Sequence, residues 1–208
     1  KTSLCSDLIE QIRMKILGDG NYFISHFRNT KSITQLQQLI ETISCENKNQ
    51  SVFDEYEKCH AFEILCNNIT NNRFGSEGIC SMLSLFKAFS SYILPMLNKL
   101  IPNLLKIFSI RDENDKLFLT TVSLLNELYD LSPDESLQVI EANLKELSQA
   151  IQNVPDSAFA NLKEFIINLG DRLFFALFTF AKNNEKHFFD IFKDLEVEMN
   201  KQNNSIEY

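Results

Sequence analysis

Three histidines and five cysteines are the residues of this chain best suited to chemistry, and their spacing decides which chemistry is open to them. Helical diiron sites take Glu-x-x-His from each of two helices. Glu57-Lys58-Cys59-His60 matches that pattern once, but neither His26 nor His187 has a Glu three positions earlier. A single match reads as coincidence. Zinc needs paired Cys or His at short spacing, which Cys59-His60 and Cys66 do not provide. The chain has no H-E-x-x-H, Gly-rich phosphate loop, G-x-S-x-G or calcium loop. Cys59 and His60, as neighbours, point to different faces of a helix and make a poor nucleophile pair. No metal, cofactor or catalytic residue is therefore expected, and an enzyme is disfavoured.

The cysteines suggest a different chemistry. Cys5, Cys45, Cys59, Cys66 and Cys80 all lie in the first 80 residues. Such clustering suits a disulfide-stapled N-terminal half in an extracellular protein, whereas the odd count suits thiols in a cytoplasmic one. The chain begins at Lys1, as a mature secreted product would, and so would an excised fragment. Secretion is the expectation, with a cytoplasmic protein as the alternative.

Helix geometry decides the expected pairing. Cys59 and Cys66 fall seven apart in a segment that reads as one helix from Ser51, so their Cα atoms would lie about 10.5 Å apart. A disulfide needs less than about 7 Å. Cys66 and Cys80 flank a turn-rich loop and are the expected bridge, with Cys59 taking Cys5 or Cys45. Closing the loop between 66 and 80 would stabilise the fold by roughly 3 kcal/mol in the chain-entropy model. Sequons at Asn49, Asn68 and Asn203 would carry glycans in a secreted protein. Three are no more than chance gives a chain with 21 Asn.

These residues would be positioned by helices. The stretch 79–110 is the most apolar of the chain: 20 of its 32 residues are apolar, on nearly every face, and its only charges are Lys87, Lys99 and Lys106. Such a segment is surrounded by neighbours, so it is expected as a central hairpin, with Pro95 starting a helix and Pro102 kinking or restarting one. Its longest uncharged run, 88–98, contains Ser90, Ser91 and Pro95, and the run 173–181 is shorter. Neither reaches the length of about 20 apolar residues that a membrane span needs.

Upstream, 4–17 and 32–44 carry single apolar stripes, and 22–27 reads as a short helical turn. Downstream, Leu117, Thr121, Leu124, Leu128 and Leu131 form one heptad-like seam, and Leu137, Ile140, Leu144, Leu147 and Ile151 a second. Ser132-Pro133-Asp134-Glu135 between them is an N-cap, a first-turn Pro and an N3 Glu, so the two helices should be antiparallel neighbours. A longer segment runs from Asp156 towards Lys182, with a break possible at Gly170, and a last helix carries Phe188, Ile191, Phe192, Leu195 and Met199. No strand is expected.

The fold expected is all-α: an irregular bundle of about 8–10 helices built from antiparallel pairs, as a single domain over 1–208. The disulfide-candidate half would be 1–80 and the Cys-free helical part 81–208. Over roughly 112–182 the consecutive helix pairs resemble armadillo or HEAT solenoids in their periodicity, without matching a repeat consensus residue by residue.

A net charge of −8 argues against a nucleic-acid partner, which would demand a basic face. Eighteen Phe and no Trp provide bulky core material without a polar handle. The Phe-rich segment 173–192 reads as core, or as the lining of a pocket for an apolar small ligand. The leading functional expectation is a secreted, non-catalytic helical protein acting by contact with a protein partner. The alternatives are an apolar-ligand carrier and an intracellular armadillo/HEAT-like scaffold fragment.

Overall fold

The computed structural model describes residues 20–35, 37, 40, 54, 60–70, 74–110, 115–170, 173, 175–179, 197 and 200. Among these residues the chain is all-helical, with no strand, and its helices pack in antiparallel pairs as expected. The chain divides into two compact units, Lys1–Met96 and Leu97–Tyr208.

In the first unit, α1 is Gly20–Asn29, α2 is Ala61–Asn68 and α3 is Gly75–Ala88. The expected turn at 22–27 is thus a helix of 10 residues. Residues 33–35, 37 and 40 are also helical, in the segment expected to be a helix from Ser32. Ser32 Oγ accepts from the Gln35 N–H at 3.3 Å, while Gln35 Oε1 accepts from the Lys31 N–H at 3.2 Å, a near-reciprocal cap.

α2 begins later than its sequence pattern suggests. His60 sits in the left-handed region at φ 57, a conformation that cannot continue a right-handed helix, so Cys66 is not on an unbroken helix from Ser51. The expected Cys59–Cys66 separation rested on that helix, and Cys59 itself lies outside the described residues. Phe62 of α2 packs its ring against Phe86 of α3 at 5.9 Å and Phe89 at 5.5 Å. Phe74 meets Phe27 edge-on at 6.5 Å. Phe62, Phe86 and Phe89 are fully buried, so aromatic pairs form much of this unit's core.

The second unit contains α4 (Leu97–Ile107), α5 (Asp115–Leu131), α6 (Pro133–Ala142), α7 (Leu144–Asn153) and α8 (Asp156–Asn168). A 3-10 turn, Leu94–Met96, holds Pro95 immediately before α4. Pro102 stays inside α4 rather than restarting it. The ring removes one donor to the Asn98 carbonyl, and Asn98 is exposed, so water can satisfy that group.

The boundary between the units falls within 79–110, so α3 and α4 belong to different units. Of the 20 apolar residues in that stretch, 16 are buried and none is exposed. Its role as core is as expected, and it serves both units.

α4 packs against α5, α6 and α7, and α5 packs against α6 and α8. Phe108 stacks on Phe118 at 5.8 Å and ties the end of α4 to the first turns of α5. On α5 the seam residues Leu117, Thr121, Leu124 and Leu128 are all fully buried, and Thr121 satisfies its hydroxyl by donating to the Leu117 carbonyl at 2.8 Å. Leu131, expected in the same seam, is instead 44% exposed at the helix end.

The second heptad helix is two helices. Asn143, at φ −123 and ψ 37, ends α6 and begins α7. Its side-chain amide donates to the Val139 carbonyl at 2.7 Å, offering that group a partner other than the main-chain N–H. Similarly, the segment expected to run from Asp156 to Lys182 stops at Asn168. Gly170 turns left-handed at φ 83, with its N–H bonded to Ile167 O at 3.1 Å, one half of a Schellman cap. Residues 173 and 175–179 are helical again.

Candidate functional site

His60 is exposed and lies 3.6 Å from Glu63 Oε2, a pair open to solvent. Among the described residues no group of three or more His, Cys, Asp or Glu could hold a metal ion. Glu57 lies outside those residues, as do Cys5, Cys45 and Cys59.

Cys66 and Cys80 are both buried thiols, and no disulfide is formed among the described residues. Cys66 is fully buried on α2, and Cys80 is 7% exposed on α3. The expected Cys66–Cys80 bridge is therefore not formed in this structure.

Of the sequons, Asn49 and Asn203 lie outside the described residues. Asn68 is the last residue of α2, half-buried, with its Nδ2 donating to the Ile64 carbonyl at 2.7 Å. A glycan would attach at that same nitrogen.

In the Phe-rich segment, Leu173 and Leu177 are buried, whereas Phe175 is 65% exposed. Phe188, Ile191, Phe192, Leu195 and Met199 lie outside the described residues. No helix among the described residues is long and apolar enough to cross a membrane.

Three side-chain hydrogen bonds position the helices of the second unit. Ser132 does precede α6 and Pro133 does open it, but the hydroxyl donates to Glu135 Oε2 at 3.0 Å instead of capping a backbone N–H. Ser136, almost fully buried on α6, donates its hydroxyl to the Leu128 carbonyl of α5 at 3.1 Å. That carbonyl also accepts from the Ser132 N–H at 3.0 Å, so one acceptor fixes the α5–α6 corner. Finally, Ser157 on α8 donates to Asp115 on α5. Of these, only the Ser132-x-x-Glu135 spacing was visible in advance; the other two partners come from different helices.

The α5–α6 corner also presents exposed Leu131 with exposed Asp130, Asp134 and Glu135. Leu119, 42% exposed, lies further back on α5. Compared with protein-family models, curated proteins and solved structures, the chain matches none.

Proposed function

We propose that this chain acts by protein–protein contact, as a non-catalytic helical binding protein, with its C-terminal unit serving as a scaffold of stacked helix pairs. The observation that carries this reading is the packing order of that unit. α4 lies against α6 and α7, and α5 lies against α8. α5 also packs on α6, whereas among the described residues α8 has no comparable packing on α6 or α7. Taking the broken α6–α7 segment as one strut, α4 lies on that strut and α5 on α8, first helix on first and second on second as in stacked helix pairs. Armadillo- and HEAT-like solenoids stack in this manner and use their extended faces for binding.

The reading has an intracellular and a secreted form. The secreted form would have cysteines bridged and Asn68 glycosylated. A thiol count under denaturing, non-reducing conditions separates the two: five thiols support the intracellular scaffold, and one supports the stapled secreted protein.

The contact reading is tested by affinity capture with the full chain, alongside Leu119→Asp and Leu131→Asp variants. It expects a stoichiometric partner whose affinity falls by about tenfold or more in at least one variant, roughly 1.4 kcal/mol, with the helical circular dichroism unchanged. An apolar small molecule recovered from the purified chain on organic extraction, with no protein partner, would favour the carrier reading instead.

A further inference from the structure

We draw no further inference here: the strongest candidate, the α5–α6 corner where exposed Leu131 lies with Asp130, Asp134 and Glu135, is an acidic cluster beside a single apolar side chain, and nothing in the structure shows what covers it.

Discussion

Ser157 Oγ donates to Asp115 Oδ1 at 2.5 Å, joining the first turn of α8 to the first turn of α5 across 42 residues of sequence. The acceptor is a carboxylate, which makes the bond charge-assisted, and it places one negative charge beside two helix N-termini. Both side chains are exposed, so water competes and the contribution is modest. A double-mutant cycle of Asp115→Asn and Ser157→Ala in urea should give a coupling of about 0.5–1 kcal/mol. Strictly additive effects would mean the contact does not help hold α8 on α5.

Gly78 and Gly170 are required for different reasons, and their alanine variants should separate them. A Cβ on Gly78 would lie 2.2 Å from the Phe74 Cβ and 3.4 Å from Ile33 Cδ1. Gly78→Ala should therefore cost roughly 2–3 kcal/mol through overpacking. Adding Phe74→Ala should not rescue it, because alanine keeps the offending Cβ. Around Gly170 there is open space, and only its φ of 83 resists a side chain. Gly170→Ala should cost roughly 1–2 kcal/mol. Thermal melts of the three variants decide the order, and an unaffected Gly78→Ala would show that Phe74 does not approach α3 in this way.

The α5 seam offers a comparison within one helix. Leu128 is fully buried, whereas Leu131 is 44% exposed. Leu128→Ala should lose about 2–5 kcal/mol, and Leu131→Ala within roughly 0.5 kcal/mol of nothing. Equal losses would place Leu131 in the core after all, as its heptad position suggested.

How far this could be read from the chain follows from such pairs. Leu117, Thr121, Leu124 and Leu128 were legible because burial along a helix repeats with the helical period. The start of α6 was legible because Pro133 suits a first helical turn but not a helix interior, and Ser132 and Glu135 flank it at N-cap and N3 spacing. The breaks were not. Asn143 occurs in a chain whose other asparagines, such as Asn126 and Asn103, make the same bond to the carbonyl four residues back without ending their helices. His60 likewise adopts a left-handed conformation that no neighbouring Gly or Pro announces. The candidate site was less legible still. Cysteine spacing along one helix sets a distance, but a bridge between α2 and α3 depends on how those helices pack, which spacing does not contain.

Ser136 tests the corner between α5 and α6. Its hydroxyl shares the Leu128 carbonyl with the Ser132 N–H, so Ser136→Ala leaves that carbonyl one partner. The expected loss is about 1 kcal/mol in chemical denaturation. A gain in stability would show that burying this hydroxyl costs more than its bond returns.

The packing order of the C-terminal unit is the foundation of the scaffold reading, and methyl–methyl NOE spectroscopy on the full, methyl-labelled chain tests it most directly. The residues that report are the buried Leu100, Leu104, Leu124, Leu128, Ile140, Ile151, Leu162 and Ile166. Cross-peaks should connect α4 to both α6 and α7, and α5 to α8. Cross-peaks connecting α4 to α8 and α5 to α7, with none between α5 and α8, would contradict the stacked pairs and remove the support for a solenoid-type scaffold.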